Sequence, residues 1–330
     1  MKIKLWEVKR SDILVSAENL EKVYERTDKK EVFAVNGVNL ALRKGVSYGL
    51  VGESGCGKST LGQMLVKLLE PTSGKIYFDG KEISSFTKKE KSDFRRNAQI
   101  VFQNPFDSLN PKMKVFQIIE EPLLIHKIGK NSLERAGLVN EIRTLCGLDL
   151  SVMEKYPAEL SGGQRQRVSI ASSMILNPKF LVLDEAVSSL DVLIQAQILN
   201  MLKKMQKSLN LTSLFISHNL NAVSYLADVV FVMYLGQIVE SGPVEALLEN
   251  PLHPYTKALF SAAYNVNQRE ENRIVLHGDL PNPTKKITGC PFASRCPFFE
   301  ERYMQEKLVL KPADAESEHQ SACWKSFKQN

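Results

Sequence analysis

The chain has no apolar run long enough to cross a bilayer as a helix, which takes about 20 consecutive residues. Val229 to Leu235, among its longest runs, is strand-sized, so any membrane role is expected to come through a partner. The opening residues, Met1-Lys2-Ile3-Lys4-Leu5-Trp6-Glu7, lack the apolar core of a secretory signal. The chain is therefore expected to stay on the side where it is made. Cysteine is scarce, five in 330 residues and odd in number, which argues against a disulfide framework. No sign of charge dominates either. Against 37 Asp and Glu stand 43 Lys and Arg, and the net +6 suits anionic ligands but is too diffuse to argue for DNA or RNA. There is no internal repeat and no low-complexity tract. What remains is an ordinary globular composition, 43% apolar and 24% charged, with room for one large α/β domain and a smaller appendage.

One stretch organises the rest. Gly52-Glu53-Ser54-Gly55-Cys56-Gly57-Lys58-Ser59-Thr60 fits the pattern G-x-x-x-x-G-K-[ST], between a short apolar strand at Tyr48 to Val51 and a helix predicted over Leu61 to Leu69. Glycines let the backbone wrap closely, so that successive N–H groups point at phosphate oxygens, and the helix start adds its positive end. Lys58 is expected to reach the β- and γ-phosphates, Ser59 to ligate Mg²⁺, and Thr60 to donate to a phosphate nearer the ribose.

Around this loop the chain reads as strands and helices in sequence. Ile13 to Leu20 reads as a strand leading to Lys22-Val23-Tyr24, followed by a polar turn over 26–30. Val38, Leu40 and Leu42 alternate with Asn39, Ala41 and Arg43, the period of a half-buried antiparallel strand. Lys75 to Ile83 reads as a hairpin around Asp79-Gly80. Ile100 to Gln103 is a short strand, and a loop with Pro105 and Pro111 follows. Beyond it a helical stretch runs to about Pro157, with Leu138, Ile142 and Leu145 at helical spacing. Ser161 caps a helix striped by Val168, Ala171 and Ile175 and ended by Pro178. Phe180 to Leu183 is apolar on both faces, as a central parallel strand is, and a helix over Leu193 to Ser208 leads to the next buried strand, Ser213 to Ile216. Val229 to Val239 reads as a last hairpin around Gly236, and the texture changes near Pro251.

Parallel strands deliver functional groups at their C-terminal ends. Gln103, Asp184-Glu185 and His218 each follow an apolar strand and are expected to converge on the phosphate loop. Asp184 suits a Mg²⁺ ion held through its water shell. Glu185 could accept a proton from an attacking water, His218 could contact the γ-phosphate, and Gln103 the metal or the water. Each has an ordinary structural explanation alone; together and in this order they form a catalytic set.

These motifs resemble the ATP-binding subunit of an ATP-binding-cassette (ABC) transporter, over roughly Leu14 to Gly242. Leu160-Ser161-Gly162-Gly163-Gln164 is similar to the family's signature motif, Ser188-Ser189-Leu190-Asp191 to its D-loop, Gln103 to its Q-loop and His218 to its switch histidine. Tyr24 stands where the family puts an aromatic that stacks on adenine. The resemblance implies an α/β fold: a P-loop NTPase (RecA-like) core with an antiparallel β subdomain, an inserted α-helical subdomain (about 104–176) and a small C-terminal extension. The ATP-binding domain would cover 1–250 and the extension 251–330. It also implies two ATPase subunits paired head to tail, the signature helix of one closing on the γ-phosphate held by the other. Gly52, Ser54, Gly55, Cys56, Gly57, Lys58, Ser59 and Thr60, with Tyr24, would then bind ATP from one subunit. Ser161, Gly162, Gly163, Gln164 and Asp191 would bind it from the other.

Within the family, Gln103 to Pro111, Asp191 to Leu199 and His253 to Leu259 resemble the oligopeptide/dipeptide importers. Ser108 to Met113 followed by Glu121-Pro122-Leu123 leans towards their second, F-type ATPase subunit. That implies an ATP-hydrolysing subunit energising di- or oligopeptide import at the cytoplasmic face of the membrane. Its partners would be a homologous ATPase subunit (a sister chain, or a second copy in isolation), two permeases and an extracytoplasmic peptide-binding protein, with no nucleic acid. Nickel importers share much of the pattern. An ABC ATPase that does not transport is the remaining class, disfavoured because the chain has one phosphate loop, one signature and no long insertion between Lys58 and Ser161. The tail, Gly289-Cys290 to Cys296-Pro297 and later Cys323, resembles relatives in which four cysteines hold a [4Fe–4S] cluster. Here Tyr303 stands where a further cysteine would fall, which leaves Cys290, Cys296 and Cys323 with His319 as a possible fourth ligand.

Overall fold

The computed structural model describes residues 10–25, 31–104, 108–188, 190–264, 274, 284, 286–305, 309–314 and 317–327. The polar turn at 26–30, Pro105 and Ser189 lie outside the described residues, as do Met1 to Glu7. The chain divides into two compact units, Met1–Arg43, Tyr48–Ser84 and Ser217–Asn330 in one, Lys44–Ser47 and Ser85–Ile216 in the other.

The first unit opens with β1 (Ile13–Glu25) antiparallel to β2 (Glu31–Arg43), with Leu20 opposite Val38 and Tyr24 opposite Val32. Val38, Leu40 and Leu42 are buried and Asn39 and Ala41 exposed, the period-two pattern the sequence predicts. β3 (Ser47–Val51) is buried along its whole length and leads into α1 (Lys58–Leu65). That helix stops four residues before the predicted end. Lys67 turns to φ 56°, which breaks the helix, and its ammonium donates to the Ile83 carbonyl at 2.9 Å. β4 (Ser73–Phe78) pairs with β1, and β5 (Lys81–Glu82) closes the hairpin at Asp79-Gly80. The four strands form one antiparallel sheet in the order β2-β1-β4-β5.

The second unit begins with α2 (Lys88–Asn97), capped by a reciprocal pair in which Thr87 and Glu90 satisfy each other's backbone N–H. It buries only Phe94, edge-on to Phe86 with centroids 5.7 Å apart. β6 (Ala98–Val101), α3 (Val115–Ile125) and α4 (Ser132–Leu145) follow, α3 and α4 tied by Arg135 Nε to Glu120 Oε1 at 2.8 Å. The predicted stripe on α4 is displaced by one residue. Leu145 is 51% exposed, while Val139, Ile142 and Cys146 are buried, at the i, i+3, i+7 spacing of one helix face. α5 (Gly162–Met174) buries Val168 and Ala171 as predicted, and Gln166, Ser169, Ile170 and Met174 besides. Ile175 is its half-buried C-cap. β7 (Phe180–Asp184) lies between two parallel neighbours, β6 and, beyond α6 (Val192–Leu209), β8 (Thr212–Ile216). Every residue of β7 is buried, as a strand covered on both faces requires.

Back in the first unit, α7 (Leu220–Leu226) precedes β9 (Val229–Tyr234), which runs parallel to β3 with Tyr48 opposite Val229. β10 (Gln237–Pro243) turns back on β9, then come α8 (Val244–Glu249) and α9 (Pro254–Tyr264). The tail adds β11 (Lys311–Pro312) and β12 (Gln320–Ser321), the latter antiparallel to β10. A buried carboxylate fastens this part. Glu240, 0% exposed, accepts from the N–H groups of Leu252 (2.8 Å) and His253 (2.7 Å) and meets His319 Nε2 at 2.6 Å. Among the described residues no helix is long and apolar enough to cross a membrane.

Candidate nucleotide site

The phosphate loop joins β3 to α1. At Gly57, φ is 106°, and a Cβ there would lie 2.0 Å from the Ala34 carbonyl oxygen, so only glycine lets the loop pass β2. Gly57 is also the N-cap of α1 and gives it no side-chain bond. The cap therefore places no side-chain oxygen of its own at the positive end of the helix dipole. Lys58 is 5% exposed, and its Nζ donates to the carbonyls of Gly52 (2.8 Å) and Glu53 (2.9 Å). Burial pushes the Cys56 thiol up, although Lys58 Nζ lies 3.8 Å from its sulfur, so Cys56 fills space as a neutral side chain. Gly52, Ser54, Gly55, Ser59 and Thr60 complete the loop, with Ser54, Gly55 and Ser59 exposed. In the same unit Tyr24 is 38% exposed near the end of β1, with Lys22 Nζ 5.3 Å from its ring centroid. His218 is exposed just before the Asn219 cap of α7, held by the Asn219 N–H to Ser217 Oγ bond of 3.0 Å.

The second unit brings two predicted groups together. Gln103, after β6, donates through Nε2 to Glu185 Oε2 at 2.8 Å. Asp184 ends β7 and is 5% exposed. Glu185 follows at φ 46°, a left-handed conformation that a non-glycine residue adopts only under constraint. Its N–H is fixed to the Ile216 carbonyl at 2.9 Å, and its own carbonyl accepts from the N–H (3.1 Å) and Oγ (2.9 Å) of Ser188. Side chain and backbone of Glu185 are therefore both positioned.

Ser161 caps α5 in a reciprocal box: its Oγ accepts from the Gln164 N–H (3.3 Å), and Gln164 Oε1 accepts from the Ser161 N–H (3.0 Å). Gln164 thus has a structural task that its motif did not reveal. Gly163 has one as well, since a Cβ there would lie 2.6 Å from Ile194 Cγ2. α5 and α6 meet at that point, and Gly162 carries no comparable clash. Asp191 caps α6 by accepting from the Ile194 N–H at 2.9 Å, while Gln195 Nε2 holds the Val187 carbonyl at 2.7 Å. Sequence reasoning also missed Tyr255, whose Oη accepts from the Glu53 N–H at 2.9 Å, and Arg295, which pairs with the Glu53 carboxylate at 3.1 Å. Both lie in stretches that resemble the importers, Tyr255 in His253 to Leu259 and Arg295 between Cys290 and Cys296, but nothing in those stretches points to the phosphate loop.

The tail thiols do not fit a four-iron cluster. Cys290, Cys296 and Cys323 line one cavity with His253 and Tyr303, but its volume is about 20 Å³, room for roughly one water molecule. Among the described residues no three His, Cys, Asp or Glu side chains are placed to share a metal ion. His319 is turned to Glu240 instead. Burial pushes the Cys290 thiol up to about 12 and raises Cys296 as well. His253 is fully buried, its pKa lowered to about 4 by desolvation, and Nδ1 accepts from the Tyr255 N–H at 3.1 Å.

A glycine-wrapped loop opening a helix behind a buried parallel strand, with carboxylates at the end of another parallel strand, defines the P-loop NTPase class of α/β protein. Comparison with known proteins narrows it. Residues 35–188 match the ABC transporter family and residues 239–302 the oligopeptide/dipeptide transporter C-terminal region. The putative oligopeptide transport ATP-binding protein YkfD of Bacillus subtilis (strain 168) is 44% identical over 86% of this chain and 87% of its own. The di/tripeptide transport ATP-binding protein DppF of Pseudomonas aeruginosa (strain UCBPP-PA14) is 44% identical over 89% and 90%. Among solved structures, the ATP-binding cassette MJ0796, a dimer in a post-hydrolysis state bound to ADP and Pi, is 27% identical. It covers 70% of this chain and 99% of its own, with a TM-score of 0.65. The chain belongs to the ABC transporter family, as an ATP-hydrolysing cassette of the oligopeptide/dipeptide transport group.

Proposed function

We propose that this chain energises the import of di- or oligopeptides through a membrane transporter, with ATP held between two nucleotide-binding subunits. The observation that carries the hydrolytic part is the Gln103–Glu185 bond, which aims the carboxylate at one place. Glu185 would take the proton of the attacking water, worth about 10²- to 10⁴-fold in rate for a positioned base. Lys58 and the first-turn amides of α1 would hold the phosphates, His218 would contact the terminal one, and Tyr24 would stack on the base. Oxygens from Ser59, Gln103 and Asp184 have the hard-ligand chemistry Mg²⁺ takes, and when bound the ion would neutralise phosphate charge. Ser161, Gly162, Gly163 and Gln164, with Asp191, would meet the nucleotide of a neighbouring subunit, at a second helix start. ATP would then close the pair and hydrolysis release it.

The peptide cargo is supported by the C-terminal match over 239–302 and by the names of the relatives. The reading calls for a homologous ATPase partner, two permeases, an extracytoplasmic peptide-binding protein, and a place on the cytoplasmic face of the membrane. Reconstitution of the chain with its permeases in vesicles tests it. ATP hydrolysis should rise when the binding protein is loaded with peptide; a rise with nickel and none with any peptide would overturn the cargo assignment.

A further inference from the structure

The phosphate loop is gripped from the C-terminal region. Arg295 ends the short 3-10 turn Ala293–Arg295 between Cys290 and Cys296. Its Nη1 donates to both Glu53 carboxylate oxygens at 3.1 Å and to Tyr234 Oη at 3.3 Å. The turn is seated by Phe292, 0% exposed, whose ring lies 5.4 Å from that of Tyr234 and 5.6 Å from that of Tyr255. Only 9% of the Arg295 side chain is exposed, and its Nε is buried with no partner. A guanidinium stripped of water is tolerated only where an anion faces it, and here that anion is Glu53.

Glu53 in turn is held at three points. Its N–H goes to Tyr255, its carbonyl accepts from Lys58 Nζ, and its carboxylate meets Arg295. An unpaired carboxylate in this loop would oppose the phosphate that the loop's amides and lysine attract. We propose that Arg295 is a positioning residue for nucleotide. It cancels the Glu53 charge and fixes the loop's second residue, making the C-terminal region a determinant of ATP affinity. The inference rests on the reading of Gly52 to Thr60 as the ATP phosphate loop.

Calorimetric titration of the full chain with MgATP tests it. Arg295→Gln should raise the dissociation constant by about tenfold, the scale of one uncompensated charge near a polyanion. At saturating MgATP its kcat should stay within about threefold of the parent. Adding Glu53→Gln to it should recover most of the lost affinity. Arg295→Lys, which keeps the charge and much of the packing, should lie nearer the parent than Arg295→Gln; it also serves if the glutamine variant does not fold. Unchanged affinity in Arg295→Gln overturns the inference, as does a double variant no tighter than the single one, because the arginine would then act through packing. Lys58→Ala separates the two readings. If it binds MgATP like the parent, the phosphate-loop assignment fails and the inference with it; if it loses MgATP while Arg295→Gln does not, the inference alone falls.

Discussion

Glu240→Ala should be among the most damaging single substitutions in the chain. The carboxylate is 0% exposed and serves two backbone N–H groups and the His319 ring at 2.6–2.8 Å. Alanine removes all three interactions and leaves the buried N–H of His253 and the half-buried N–H of Leu252 without their acceptor. Hydrogen bonds to a charged group contribute about 1.5–3 kcal/mol each. Breaking a buried charged network by deleting one side costs about 3–5 kcal/mol in total, and the lower part of that range allows for some relaxation. Because His319 precedes β12 and Leu252 precedes α9, the loss should be felt throughout the C-terminal region. Trp324 reports on it: the chain has two tryptophans, and Trp6→Phe leaves Trp324 alone. Urea unfolding followed by its fluorescence should show Glu240→Ala destabilised by about 3–5 kcal/mol, and His319→Ala, which removes one interaction, by less. A loss below about 1 kcal/mol for Glu240→Ala, or one no larger than that of His319→Ala, would refute the reasoning.

Other expectations can be checked as directly. Gly163→Ala places a methyl 2.6 Å from the branched Ile194 side chain; overpacking of this kind costs about 1–3 kcal/mol, measurable as a lower urea midpoint. Gly57→Ala meets the Ala34 backbone oxygen at 2.0 Å and should lose MgATP binding in calorimetry, whereas Gly55→Ala, strained at φ 78° but with no neighbour within 4 Å, should lose less. His253 has its pKa lowered to about 4 from 6.5 by burial, so unfolding takes up a proton between those values. Its contribution is therefore complete above 6.5 and lost as pH falls towards 4, and His253→Phe should flatten the stability profile across that window. Cys290 is shifted the other way, up to about 12 from 9.0. Its alkylation should still be accelerating at pH 10, and its contribution to stability should fade as pH rises above 9.0.

Much of the fold is legible because its central strands are short, apolar and bounded. Tyr48 to Val51, Phe180 to Leu183 and Ser213 to Ile216 have no polar face to misread, and they are strands, each five residues long with its flanking residue included. The helices are harder. In α4 the leucines at 138 and 145 attract a hydrophobic reading, but the face that turns inward carries Val139 and Cys146, so side-chain size misleads where angular position decides. α2 has a single buried residue in Lys88–Asn97, and only the Thr87–Glu90 capping pair announces it. In the site, the residues whose chemistry is local to a motif were legible: the loop, the Ser161 cap, and the Gln103–Glu185 pair that strand ends bring together. Contacts set by tertiary packing were not. Arg295 and Glu53 are 242 residues apart, and His319 and Glu240 are 79 apart. Nothing in sequence spacing distinguishes a histidine that could serve a metal from one that serves a buried carboxylate.

Glu185 is the proposed base for ATP hydrolysis. Its most direct test is the ATPase rate of the purified full chain beside that of Glu185→Gln, with bound nucleotide measured on the same samples. A fall of at least about a hundredfold in rate is expected, with MgATP still bound and the chain held as a dimer by it. Hydrolysis by Glu185→Gln at the parent's rate would contradict that role.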